Sequence, residues 1–336
     1  MTITRRALMG ATGLAVAAAL SAPALSPALA QEVTWRATTI YPATSNSGPA
    51  FEAMKSALEE GTDGAMTMQL NPGGSLGFAN EDNFEVVGDG VIEVAETLTG
   101  ALVGVDPLFG AASLPFIIAE DAEAQPLMEA VTPTFEAIFE ANDQILLGWG
   151  AFPAVGVFGK APATSMDEFG GVKVRTYDAF SAEAMSDLGA TPVQLPFSEV
   201  VTALSSGVVD AMLTSTEGGK VTSAWDLGIT DFTALGYSTP ITLLHASREA
   251  FDALTPEQQD AVRAAGEVFT RTHWESGRDS VAANIALLEE NGITVHDTID
   301  DAMRSQIEET RDRIAASWAE ENGEDAAALL ATVRGE

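Results

Sequence analysis

The chain has 336 residues, with 49 acidic against 16 basic side chains and a formal charge of −33. A surface that acidic repels nucleic acid and anionic lipid, so neither is an expected partner. Cysteine is absent, which excludes thiol chemistry and disulfide scaffolding and leaves stability to core burial, feasible at this length. Residues 1–30 read as a secretory signal peptide. Arg5 and Arg6 make a short positive region, residues 7–20 carry no charge, and Ala28-Leu29-Ala30 offers small residues for cleavage before Gln31. The paired arginines also fit a twin-arginine export signal. The apolar run is shorter than the roughly 20 residues of a membrane span. A periplasmic location without membrane insertion is expected.

From Val33 the chain alternates extended and helical patterns. Residues 33–39 alternate with period two, and residues 51–61 repeat Phe51, Met54, Ala57 and Leu58 at helical spacing behind Pro49. A strand at 66–70 ends at Asn71-Pro72-Gly73-Gly74; a helix at 80–88 and a strand at 91–95 complete a β-α-β-α-β order. After a middle region the pattern restarts, with strands at 145–149, 155–158 and 172–176, a helix at 181–188 and a short strand near Val193. Ser198 is the expected N-cap of a helix at 199–205 that stops at Gly207, before a strand at 208–213. Two α/β units suggest two lobes around a cleft, with ligand at the carboxyl ends of the strands.

One helix is predicted to be unusually long. Thr255-Pro256-Glu257-Gln258 supplies an N-cap, a first-position proline and a capping-box glutamine, and no proline follows before Asn291-Gly292. About 35 residues at 1.5 Å each span roughly 50 Å, enough to cross both lobes. Gly266 or Gly277 would be the place for a break.

Catalytic signatures are missing. His245, His273 and His296 lie outside any metal-ligand spacing, and His245 sits in an apolar strand pattern that suits a packed core residue. No nucleophile elbow or zinc-protease motif occurs, and the glycine-rich run 72–77 lacks phosphate-loop spacing. Neither a metal nor a cofactor is expected. Binding without turnover is the first reading; an exported α/β hydrolase or lyase acting on a small acid is the alternative.

The segment 166–210 is more specific. Asp167-Glu168-Phe169-Gly170-Gly171-Val172-Lys173-Val174-Arg175 resembles a signature of the DctP-type substrate-binding proteins of tripartite ATP-independent periplasmic (TRAP) transporters. Gly189-Ala190-Thr191-Pro192-Val193, Pro196-Phe197-Ser198-Glu199-Val200-Val201-Thr202-Ala203-Leu204 and Gly207-Val208-Val209-Asp210 are similar to later motifs of that family. Val201 stands where tyrosine is usual and Ala211 where glycine is usual. Pro72 to Gly77, Leu114-Pro115-Phe116 and the Leu254–Gln259 helix start fit the same order.

The resemblance implies a two-lobed α/β solute-binding fold with hinge strands and a long helix spanning both lobes. Lobe I would comprise 31–152 plus 242–280, lobe II 153–241 plus 281–336, with hinges near 152–154 and 240–242. Arg175 is implied as the bidentate anchor of a ligand carboxylate, matching a planar fork to a planar anion. Phe197 would pack on the ligand, and Thr214 with Ser215 would contact its carboxylate. Tyr41, Phe152 and Trp225 are candidate walls. A second family arginine has no counterpart near Val155, which favours a monocarboxylate with an apolar or aromatic body; Arg36 is a possible substitute. The implied partners are a small organic acid and the TRAP membrane subunits, with the receptor a monomer.

Overall fold

The computed structural model describes residues 33–118 and 123–335, so the signal-peptide expectation for residues 1–30 lies outside the described residues. In chain order the strands are β1 (Val33–Thr38), β2 (Met66–Asn71), β3 (Val94–Leu98), β4 (Gln144–Ala151), β5 (Val155–Gly159) and β6 (Lys173–Thr176). They continue as β7 (Thr191–Gln194), β8 (Ala211–Ser215), β9 (Asp231–Thr233), β10 (Ile241–Ser247) and β11 (Thr294–His296). They form two mixed sheets. A five-stranded sheet has the order β2-β1-β3-β10-β4, and a six-stranded sheet the order β11-β9-β5-β8-β6-β7. β1, β2 and β3 run parallel, as do β6, β7 and β8, while β10 and β5 run antiparallel to their neighbours.

Two chain segments pass between the sheets side by side. β4 leads through Phe152, Pro153 and Ala154 into β5, and β9 returns through residues 234–240 to β10. The Phe152 N–H donates to the Pro240 carbonyl at 3.0 Å, the Val155 N–H to Ser238 at 2.8 Å and the Tyr237 N–H to Val155 at 3.0 Å. The first crossing runs through residues 152–154 and the second through 234–240, before β10 begins at Ile241.

The helix Pro256–Glu290 runs unbroken for 35 residues. Thr255 accepts from the Gln258 backbone while Gln258 reaches back to the Thr255 N–H, the reciprocal box expected from the sequence. Gly266 and Gly277 do not break it; they let it lie against β4. A methyl group on Gly266 would meet the Leu147 carbonyl oxygen at 2.3 Å, and one on Gly277 the Ala151 oxygen at 2.9 Å. The strand answers in kind: a methyl on Gly148 would meet Thr270 Oγ1 at 2.4 Å. On the other sheet the same helix touches the helix Thr216–Val221 and β11. The long helix therefore spans both lobes.

Several expectations need correction. The strand predicted at 91–95 pairs only from Val94, because the Val91 and Ile92 amides close the preceding helix on the Val86 carbonyl and Gly90 turns at φ +67°. Val91 is left 47 % exposed. The strand predicted at 208–213 likewise starts at Ala211, since Val208 and Val209 bond back to Ala203 after left-handed Gly207. Ser198 is not an N-cap: it lies inside the 3-10 turn Phe197–Glu199, and the helix Val200–Ser206 follows with no side-chain cap. The middle region, passed over by periodicity, holds the helix Ala124–Ala141 with Pro133 in its interior, its apolar face buried through Leu127, Val131, Phe135 and Ile138. Among the described residues no helix is long and apolar enough to cross a membrane.

Candidate ligand-binding site

A cavity of about 410 Å³ opens at the carboxyl ends of the strands, and both sheets contribute walls. That volume suits a small molecule, since ligand pockets run from about 300 to 1,000 Å³. Arg175 lines it from β6 and is only 3 % exposed. Two backbone carbonyls hold its guanidinium: Nε donates to Leu195, just past β7, at 2.9 Å and NH1 to Leu213 of β8 at 3.3 Å. None of the ion pairs among the described residues includes it. The remaining guanidinium hydrogens have no hydrogen-bond partner among the described residues.

Burial pushes the Arg175 guanidinium down to about 10, against the nearby Tyr177, Tyr41 and Asp178. It stays protonated at neutral pH. A desolvated cation fixed in orientation, and in no ion pair among the described residues, is chemically suited to a carboxylate, because an incoming anion would supply the charge that burial removed. Two rings flank it, with the guanidinium carbon 5.6 Å from the Tyr177 centroid and 5.8 Å from that of Phe197.

Aromatic groups form the rest of the wall. Tyr41 lies on the loop after β1, and its ring centroid is 4.5 Å from Phe152 and 6.3 Å from Phe197. Burial, reinforced by the Glu96 charge, pushes the Tyr41 phenol well above its ordinary value. Thr214 and Ser215 end β8 and both line the cavity. Ser215 Oγ accepts from the Gly218 N–H at 3.2 Å, so it also caps the helix that follows.

Six of the seven residues singled out from the sequence thus line one cavity: Tyr41, Phe152, Arg175, Phe197, Thr214 and Ser215. Trp225 is placed elsewhere. It sits in the 3-10 turn Ala224–Leu227, packed on the core around Phe158, Leu204 and Phe232, and is not among the cavity-lining residues. Arg36 faces the surface, where Glu93 takes its Nε and NH2 at 3.0 Å each. The histidines are dispersed: His245 is core, held by Thr97 and Gln144, while His273 meets Glu96 and His296 meets Asp231.

Tyr177, Asn80, Leu98 and Glu217 also line the cavity and were missed. The Tyr177 hydroxyl lies 3.2 Å from Ser238 Oγ in the crossing segment. Only its position two residues after Arg175, on the same face of an extended chain, could have flagged it. Glu217 is buried, paired with Lys220 at 3.0 Å and with Asn284 of the long helix at 3.0 Å. Its neighbours come from distant sequence, and no local signal marks it.

A cleft between two mixed sheets, spanned by one long helix and holding a buried arginine in no ion pair among the described residues, is the arrangement of a solute receptor. The chain belongs to the DctP family of bacterial extracellular solute-binding proteins (family 7), whose model matches residues 37–321, and so to the substrate receptors of TRAP transporters. It is 26 % identical over 335 residues to UehA of Ruegeria pomeroyi, an ectoine/5-hydroxyectoine-binding periplasmic protein, covering 96 % of this chain and 93 % of that one. With the C4-dicarboxylate-binding periplasmic protein DctP of Rhodobacter capsulatus it shares 29 % identity over 229 residues, 62 % of each chain. The crystal structure of DctP7, a Bordetella pertussis extracytoplasmic solute receptor binding pyroglutamic acid, matches with a TM-score of 0.85 at 25 % identity, covering 90 % of this chain and 99 % of that one. These proteins are receptors that serve transporters and are not enzymes, and the hydrolase or lyase alternative finds no support.

Proposed function

We propose that this receptor captures a small monocarboxylate with a compact apolar or aromatic body in the periplasm and hands it to TRAP membrane subunits. The observation that carries the reading is Arg175: buried, held by two carbonyls, facing a cavity and in none of the ion pairs among the described residues. The ligand carboxylate takes its open donors, with Thr214 and Ser215 at hand, while Tyr41, Phe152 and Phe197 cover the body. Among the described residues that line the cavity Arg175 is the one arginine, which disfavours a dicarboxylate. The pyroglutamic acid bound by DctP7 is a small acid of the size this cavity holds.

The protein works as a monomer, exported by a cleavable signal at residues 1–30. Lobe I, 31–152 plus 242–280, closes on lobe II, 153–241 plus 281–336, about the crossings at 152–154 and 240–242. A thermal-shift panel of monocarboxylates, dicarboxylates and sugar acids tests the reading. A ligand at 100 times its Kd adds roughly 2.7 kcal/mol of stability, and the largest shifts should come from ring-bearing monoacids. Larger shifts from dicarboxylates would overturn the assignment of ligand class.

A further inference from the structure

Glu96 is a fully buried carboxylate on β3 that belongs to no apolar packing scheme. One of its oxygens accepts from Thr39 Oγ1 at 2.7 Å. The other accepts from Ser47 Oγ at 3.0 Å and Thr242 Oγ1 at 2.8 Å, and His273 Nε2 lies 3.3 Å away. These four partners come from the loop just after β1, the start of the helix Ser47–Gly61, the strand β10 and the long helix. Burial alone would raise the carboxyl's pKa, yet the hydrogen bond and charge of His273, with the Thr39 and Thr242 hydroxyls, hold it below its ordinary value. The group is a buried, multiply bonded carboxylate, which fixes geometry in a way an apolar filler cannot.

The network continues into the cavity wall. Thr39 Oγ1, while donating to Glu96, accepts from the Tyr41 N–H at 3.2 Å. The Tyr41 ring then packs on Phe152 at 4.5 Å, and Phe152 meets the His273 ring edge-on at 5.0 Å. The contacts close a circuit: Glu96, Thr39, Tyr41, Phe152, His273 and back to Glu96. We propose that Glu96 is a positioning residue for the ligand site, fixing the Tyr41 wall through Thr39 and tying it through His273 and Thr242 to the long helix and β10. This inference rests on the reading that Tyr41 covers the bound acid.

Thr39→Val keeps the side-chain shape and removes the hydroxyl that both bonds need. In the ligand-free full chain, amide hydrogen exchange at Tyr41 and its loop should speed up at least tenfold in Thr39→Val and Glu96→Gln, while the helix Ala124–Ala141 stays unchanged. Thr39→Ser, which retains the hydroxyl, should restore protection. With L-pyroglutamate as the calorimetric probe, Thr39→Val should weaken affinity about tenfold in the native background and less than about twofold beside Tyr41→Ala, since the two act through one wall. Unaltered exchange at Tyr41 overturns the proposal, and so do effects that simply add. A wild-type chain that ignores every acid in the panel would sink the functional reading instead, and the exchange measurement would still decide whether Glu96 holds Tyr41.

Discussion

Tyr41 and Phe197 approach across the cavity to 6.3 Å between ring centroids, one from the loop after β1 and the other from the turn before the helix Val200–Ser206. Their strands belong to different sheets, joined by the crossings at Phe152 and Pro240 and by the long helix. A few crossing strands permit hinge motion between such sheets, and the ligand proposed above would draw the two rings together. Small-angle scattering should therefore show a smaller radius of gyration at saturating ligand than without it. Superimposable profiles would count against closure.

The glycines of the β4–helix contact make a second expectation. A methyl group on Gly266 would fall 2.3 Å from the Leu147 oxygen, a backbone atom that cannot swing away. Gly266→Ala should cost about 1–3 kcal/mol by overpacking. Gly104 has nothing within 4 Å of the corresponding position, so Gly104→Ala should be neutral or stabilising by up to about 1 kcal/mol. Urea denaturation of both variants measures the contrast. Equal midpoints would mean the helix does not press on the strand there.

His245 sets a pH dependence. It is fully buried, bonded to Thr97 at 2.8 Å and Gln144 at 2.6 Å, and burial pushes its pKa from 6.5 down to about 3. The unfolded chain takes up this proton below about pH 6.5 and the folded one does not, so stability is full above that value and falls as pH drops toward 3. The slope is about 1.4 kcal/mol per unit for one proton. Denaturation between pH 7 and 5 should show a shallower decline in His245→Gln than in the native chain. Parallel declines would show that His245 does not govern this window.

Local chemistry explains what was legible in the sequence. Thr255, Pro256 and Gln258 fix a helix start with contacts three residues apart, and Asn291-Gly292 ends it, so both ends were readable. The helix Ala124–Ala141 was not: Pro133 interrupts its interior, and packing on β4, on the turn Pro107–Ala112 and on the helix Asp301–Arg334 outweighs it. Arg175 and Phe197 were legible through motifs around them. Trp225 stood beside Phe152 as a candidate wall, but an aromatic residue type alone cannot tell a cavity wall from core. Tyr177, Asn80 and Glu217 reach the cavity through tertiary folding, and the Glu96 circuit joins residues as far apart as Thr39 and His273, beyond any local signal.

The central claim is that Arg175 anchors the carboxylate through its free donors. Calorimetry of Arg175→Ala and Arg175→Lys, with the acid that gives the largest thermal shift, tests it most directly. Truncating one partner of a desolvated charge pair costs about 2–5 kcal/mol, some 30- to several-thousand-fold in affinity. Arg175→Lys should also bind poorly, because an ammonium keeps the charge and loses the fork. The ligand-free variants should remain folded, since the native cation is buried and in no ion pair among the described residues. Loss of binding in both variants with folding intact is the predicted result; affinity within about 1 kcal/mol of the native protein in Arg175→Ala would contradict it.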